Sequence, residues 1–192
     1  MADPTVLLAS GSARRLELLR RIGVEPLVRV ADVDETPVPG EPPAETVARL
    51  AAAKARAVDA PPGTLVIAAD TEVVLDGVVL GKPADRGQAA AVLTALSGRD
   101  HEVITGVHLR CDDREASAVV GTIVRFRALR ADEIEAYVAG DEPYDKAGGY
   151  GIQGAAGMFV DRIEGSDTNV IGLPLATVVE LAAEVGVTLL PR

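Results

Sequence analysis

Ser10-Gly11-Ser12-Ala13-Arg14-Arg15 follows a short apolar run and opens a stretch with helical spacing. The first turn of a helix presents backbone N–H groups without intrahelical partners, at the positive end of the dipole. It therefore attracts anions, and Gly and Ser let a phosphate come close. Two arginines in that turn oppose the dipole, at roughly a few tenths of a kcal/mol each. The placement makes sense if an anion sits there; the plainer alternative is a solvated helix start.

The chain writes its cations as sixteen arginines and only three lysines, Lys54, Lys82 and Lys146. Lys is a compact charge on a flexible stem and does not always exchange with the planar fork of Arg. Val47, Leu50, Ala51, Lys54 and Val58 follow the helical spacing of one apolar stripe, which puts Lys54 in its middle. Burying an unpaired ammonium costs several kcal/mol, so Lys54 must snorkel, pair with a carboxylate, or point into a cleft that holds an anion.

Asp70 is expected to end the buried run Leu65–Ala69, where α/β sheets present catalytic groups. An Asp76-Gly77 turn pairs Leu75 with Val78, and the continued ladder would set Thr71 opposite Lys82. Lys82 then comes within about 6 Å of Asp70, provided a twist or bulge overcomes the strict alternation of faces. A structural salt bridge is the alternative. Tyr144–Gly154 scatters polar residues among glycines, as a loop closing on a ligand would, and Gln153 there offers both donor and acceptor to a base edge.

Other chemistries drop out. His101 and His108 lack metal-ligand spacing, no Ser elbow marks a triad, and no Walker lysine follows the first glycine loop. Without a His or Cys cluster, a metal should be hard and oxygen-bound, Mg²⁺ or Mn²⁺, with Asp32, Asp34, Glu35 and Asp70 as the carboxylates available. Cys111 is alone and reads as a small apolar strand residue in a reducing compartment. With no signal peptide visible and no apolar run near the ~20 residues that span a bilayer, the expected location is the cytoplasm and no membrane partner is expected. Net charge is −10, which repels nucleic acid and anionic membranes but admits a small anion to a local cluster of cations. Aromatics are 3% with no Trp, which implies an aliphatic core and no stacking platform for single strands.

These residues need elements to hold them. The pattern predicts a strand over Thr5–Ala9, and a helix over 13–22 capped by Ser12, with a stripe of Leu16, Leu19 and Ile22 beside Leu18 and a stop at Gly23. A second helix is predicted from Pro43 to Asp59. A buried strand over 65–69 and a hairpin around Asp76-Gly77 follow, then a helix from a capping box at Asp85 and Gln88 to near Gly98. A second hairpin joins 101–111 to 116–127 through Asp112–Glu115. A helix over 132–139, a glycine-rich loop over 148–157, a strand over 158–163 and a helix over 175–185 complete an α/β chain with a mixed sheet, expected as one domain over 1–192.

In order, these segments resemble the Maf family of nucleotide pyrophosphatases from end to end. The family's opening Ser-x-Ser-Pro-Arg-Arg is here Ser10–Arg15, and its acidic segment is similar to Asp32-Val33-Asp34-Glu35. Arg49–Ala55, Ala69-Asp70-Thr71, Gly81-Lys82-Pro83, Ser97-Gly98 with His101, Thr105-Gly106-Val107, Asp145–Gly154 and Asn169–Pro174 follow in family order. Ala13 stands where the family has proline, which loosens the turn by about 0.5–1 kcal/mol without removing a functional side chain. Ser166-Asp167-Thr168 lacks the aromatics often found there.

The resemblance implies two lobes around a central cleft, a fold related to inosine triphosphate pyrophosphatase, and often a homodimer. It implies a nucleoside triphosphate substrate, with Asp70 as the base that activates water. Ser12, Arg14, Arg15, Lys54 and Lys82 would hold the triphosphate, and Glu35 and Asp70 the divalent ion. Arg14, Thr71 and Gln153 match the specificity positions of the dTTP and UTP subgroup. Two rivals stand beside this reading. A sugar-phosphate nucleotidyltransferase shares the strand, Gly-rich turn and Arg, and a nucleotide-sensing regulator of septum formation would bind without turnover.

Overall fold

The structure, a computed structural model, describes residues 4–189. Its strands are β1 Val6–Leu8, β2 Leu27–Val28, β3 Leu65–Leu75, β4 Val78–Leu80, β5 Asp100–Cys111, β6 Arg114–Phe126 and β7 Val160–Glu164. Its α-helices are α1 Ala13–Arg21, α2 Pro43–Ala57, α3 Arg86–Leu96, α4 Ala131–Val138, α5 Asp167–Ile171 and α6 Leu175–Glu184. The strands form one mixed sheet in the order β2-β1-β3-β5-β6-β7, with β4 on β3. β1 runs parallel to β2 and β3, while β4 on β3 and β7 on β6 are antiparallel. No helix among the described residues is long and apolar enough to cross a membrane.

The chain groups into two compact units. The first takes residues up to Asp70, Thr105–Val120 and those from Gly172 on; the second takes Thr71–Ile104 and Gly121–Ile171. In the first, β1 registers on β3 through Val6↔Leu65, Leu7↔Val66 and Leu8↔Ile67. Leu65–Ala69 are fully buried, as a continuous apolar run requires of a strand covered on both faces. Ala55 of α2 and Val58 just past its end pack with Leu7, Ala9, Val66 and Ala68, an aliphatic core. α1 begins at the Ser12 cap, buries Leu18 and Leu19 and leaves Leu16 and Ile22 only partly covered, a narrower stripe than expected. It ends before Gly23, at φ 78°, a left-handed stop that glycine takes without strain.

One expected boundary moves. β3 does not stop before Asp70 but continues to Leu75, so Asp70 lies inside the strand. Thr71, Val73 and Val74 favour extended backbone and no Gly or Pro intervenes before Gly77, so nothing breaks the run.

In the second unit the β3–β4 hairpin has the expected register, Leu75↔Val78, with Asp76 and Gly77 both left-handed at φ 51° and 79°. The β5–β6 turn is tighter than expected, since β6 begins at Arg114. The core here is aliphatic in most of its members but also holds a group of aromatics. All five Phe and Tyr residues lie in this unit, and Phe126, Phe159, Tyr137 and Tyr150 are buried in it with Leu93, Leu96 and Val124. Phe126 stands edge-on to Tyr150 at 4.8 Å and Tyr137 to Phe159 at 5.2 Å, the orientation ring quadrupoles prefer. A few aromatics, concentrated in one place, thus join the aliphatic side chains that the composition led one to expect.

Candidate functional site

The helix cap and the arginines after it form one bonded group. Ser12 Oγ accepts the Arg15 backbone N–H at 3.4 Å, while Ser10 Oγ accepts the Ser12 N–H at 3.2 Å. The Arg15 side chain folds back over this turn, donating from Nη1 to Ser10 Oγ at 3.2 Å and from Nε to the Gly172 carbonyl at 2.8 Å. Arg15 therefore braces the turn and joins it to the chain before α6. Desolvation pulls its guanidinium down to about 10; the charges of Asp70 and Glu35 oppose that and Arg14 adds to it. It stays cationic at neutral pH, and Arg14, Glu35 and Asp70 each lie within electrostatic reach of it.

Lys54 settles the choice its position posed. Its Nζ lies 2.6 Å from Glu35 Oε1 and 2.7 Å from Asp70 Oδ1. The Lys54 and Asp70 side chains keep only 12% and 15% of their exposure, whereas Glu35 keeps 59%. α2 carries the lysine along its apolar face, β3 carries the aspartate out of a buried run, and the ammonium meets two carboxylates where the core ends. The lysine bonded to Asp70 is thus Lys54, from the neighbouring helix.

The rest of the acidic segment is committed elsewhere or open to solvent. Asp34 Oδ1 accepts the Thr36 N–H at 2.9 Å, which closes a local turn, and Asp32 is exposed. Among the described residues no group of three or more His, Cys, Asp or Glu is placed to hold a metal ion. A hard divalent ion would nonetheless find two carboxylates already converging on one cation, and such ions commonly complete their shell with substrate phosphate and water.

Thr71, Lys82 and Gln153 belong to the second unit. The β3–β4 ladder ends at Val73↔Leu80, so Lys82 lies past it, exposed, and no pairing sets it opposite Thr71. The segment around Lys82 is instead held by the glycine-rich stretch. Gly148 donates its N–H to the Gly81 carbonyl at 3.1 Å, and a Cβ on Gly149 would come 2.9 Å from Pro83 Cγ. Gly148 and Gly149 are both left-handed, at φ 70° and 67°. The stretch is not an open loop; it folds through short 3₁₀ turns over Glu142–Asp145, Ala147–Gly149 and Ala155–Phe159, with Gln153 exposed between the last two.

Sequence reasoning missed Ser10 and the Gly172 carbonyl as the braces of Arg15. A serine beside the cap was a visible signal; a carbonyl 157 residues away was not. It placed Asn169 in a motif but gave it no role; the residue is fully buried, and its Nδ2 donates to the Val103 carbonyl at 2.9 Å and to Thr122 Oγ1 at 3.0 Å. His101, 3% exposed, is a core residue with Nε2 2.7 Å from the Tyr150 hydroxyl.

Known proteins are similar to this chain along nearly its whole length. The family model described as Maf-like protein matches residues 5–185. A dTTP/UTP pyrophosphatase of Symbiobacterium thermophilum is 50% identical over 182 residues, covering 94% of each chain. One of Anaeromyxobacter dehalogenans is 51% identical over 187 residues, covering 95% of each. A solved structure, a nucleoside-triphosphatase or dITP/XTP pyrophosphatase of Mycobacterium abscessus, is a looser likeness at 16% identity and a TM-score of 0.41, covering 65% of this chain and 75% of that one.

Proposed function

Since the chain belongs to the Maf family, we propose that it is a nucleoside triphosphate pyrophosphatase that takes dTTP and UTP to the monophosphate and pyrophosphate. The observation that carries the reading is Asp70, held through Oδ1 by Lys54 at the margin of a buried strand, within electrostatic reach of Arg15.

In this reading Asp70 is the general base. Lys54 occupies Oδ1, so Oδ2 takes a proton from water as the water oxygen bonds to the α-phosphorus. The bond from that phosphorus to the bridging oxygen breaks, and pyrophosphate leaves with the electron pair. Phosphoryl transfer needs positioning and stabilisation of spreading negative charge more than covalent help. Ser12 and the first turn of α1, with Arg14, Arg15 and Lys54, supply both. Three such cations at about 3 kcal/mol each, the scale of a well-placed oxyanion donor, cover much of an enzymatic acceleration. Glu35 and Asp70 would hold Mg²⁺ or Mn²⁺, which when bound offsets phosphate charge. The family resemblance assigns Lys82 to phosphate and Thr71 and Gln153 to the base, and it alone supplies the homodimer. The same reading makes the chain one catalytic domain acting in the cytoplasm, with no nucleic-acid or membrane partner, in keeping with a net charge of −10.

The test is Asp70→Asn with UTP as sole substrate and Mg²⁺, scoring pyrophosphate release. The variant should stay folded and bind nucleotide but not turn it over; turnover near the wild-type rate would remove Asp70 from this role. Pyrophosphate release by the wild type that required an added sugar phosphate would make the enzyme a nucleotidyltransferase, and tight binding without release would make it a sensor.

A further inference from the structure

Lys146 is the lysine the chemistry above leaves unused, and it sits in a structure of its own. Its Nζ donates to the Glu142 carbonyl at 2.9 Å and pairs with the Asp145 carboxylate. Its stem then runs beneath Gly151, where an added Cβ would come 2.7 Å from Lys146 Cε. Glu142 supplies the other half. Its Oε2 accepts the Ala155 N–H at 2.9 Å, and its Oε1 accepts the Tyr137 hydroxyl at 3.1 Å. Burial, with the nearby Glu142 charge, pushes the Tyr137 phenol up, so it remains a donor across the working range. Gly154 lies directly on the carboxylate, where a Cβ in place of its hydrogen would come 2.5 Å from Glu142 Cδ. The Gly154 N–H closes back on the Gly151 carbonyl at 3.0 Å.

The tight turn 151–154 is therefore clamped at both ends, by the Lys146 stem at Gly151 and the Glu142 carboxylate at Gly154, and Gln153 is carried on that turn. A carboxylate that accepts a backbone N–H and a buried hydroxyl is a stronger and more directional anchor than a neutral side chain. Neither clamp residue is needed to make the turn polar; both are needed to hold it in one place.

We propose that Glu142 and Lys146 are positioning residues that set base discrimination by fixing the turn that bears Gln153, without touching the nucleotide. This rests on the proposed reading of the base by Gln153. A side chain presented from a loose turn pays ordering entropy on binding, and that loss falls on KM. A group that acts only on chemistry shifts kcat instead.

The experiment measures kcat and KM for UTP and GTP in the full-length enzyme carrying Glu142→Gln, Lys146→Met, Gln153→Ala, and each clamp change combined with Gln153→Ala. Glu142→Gln should raise KM for UTP about tenfold, the scale of a charge-assisted hydrogen bond, with kcat within about twofold. The preference for UTP over GTP should shrink by a similar factor. Lys146→Met should act in the same direction and more weakly, and it carries the test should Glu142→Gln fail to fold. In the Gln153→Ala background either clamp change should add nothing to KM. Clamp effects that multiply with Gln153→Ala, or that fall on kcat, overturn the clamp while leaving Gln153 as the base reader. A Gln153→Ala enzyme with wild-type KM and preference instead removes the base reader, and the clamp's role with it.

Discussion

Lys54 and Asp70, sixteen residues apart on a helix and a strand, meet at 2.7 Å, and the same lysine nitrogen lies 2.6 Å from Glu35. One ammonium thus holds two carboxylates of unequal freedom. Asp70 is nearly buried, while Glu35 is more than half exposed and can turn to water. The buried member is fixed and the outer one can move, which suits a base that must stay aimed beside a carboxylate that can be recruited to an incoming cation.

Removing that ammonium should separate these parts. Lys54→Met leaves Asp70 unpaired at low exposure, and a broken partly buried pair costs about 3 kcal/mol, less whatever Glu35 recovers by swinging outward. Thermal unfolding should shift down by several degrees, and kcat/KM for UTP should fall by about 10²-fold or more. Lys54→Arg should restore stability better than activity, because a planar fork does not place one nitrogen between two carboxylates. Equal recovery of both would show that charge alone is enough.

Arg15 invites the opposite substitution. Its guanidinium spans two acceptors in different directions, Ser10 Oγ and the Gly172 carbonyl. Lysine brings one nitrogen to that task. Arg15→Lys should loosen the turn and raise KM for UTP by about tenfold while the charge at neutral pH is unchanged. Steady-state kinetics read this directly, and unchanged KM would mean that Arg15 acts by charge and not by bracing.

Much of this was legible beforehand where the cause is local. Ser12 and Asp85 cap the helices they precede, and Asp76-Gly77 dictates its hairpin register, because each works through atoms a few residues away. Lys54 stood out because a cation in an apolar stripe demands a partner. Its partner was not legible: nothing local to α2 points to Asp70, and only the packing of α2 beside β3 brings the two together. The continuation of β3 past Asp70 and the two-residue strand β2 depend on neighbouring strands, and the glycine stretch reads as a loop because the 3₁₀ turns that organise it lean on Glu142, a residue with no motif. Long-range pairing left no mark in the spacing.

Gly106 offers a stability test tied to the site. An added Cβ there would lie 2.5 Å from the Val47 carbonyl carbon, so β5 meets the backbone of α2 with no room for a methyl group. Val47 is two helical turns before Lys54. Gly106→Ala should cost about 1–3 kcal/mol by overpacking, and the shift of α2 should lower kcat/KM by more than the loss of folded protein explains. Calorimetry with active-site titration separates the two contributions; a stable variant with normal kinetics would mean that α2 yields without moving Lys54.

His101 sets a pH limit on the second unit. Desolvation lowers its imidazole to about 4, the Asp100 charge opposing, against 6.5 when exposed. Nδ1 is buried without a partner among the described residues, so a second N–H there would find no acceptor. A group held neutral in the fold binds its proton only on unfolding. The stability it contributes is therefore full above about pH 6.5 and is lost as pH falls from there to about 4, near 1.4 kcal/mol per unit for one proton and about 3 kcal/mol in all. Urea midpoints at intervals between pH 7 and pH 4 should trace that slope. His101→Gln should be less stable at pH 7, having lost the ring contact with Phe126 and Tyr150, yet flatter over the same window. A wild-type curve that stayed level to pH 4 would mean that His101 is protonated in the folded chain, and that the unit opens far enough to hydrate it.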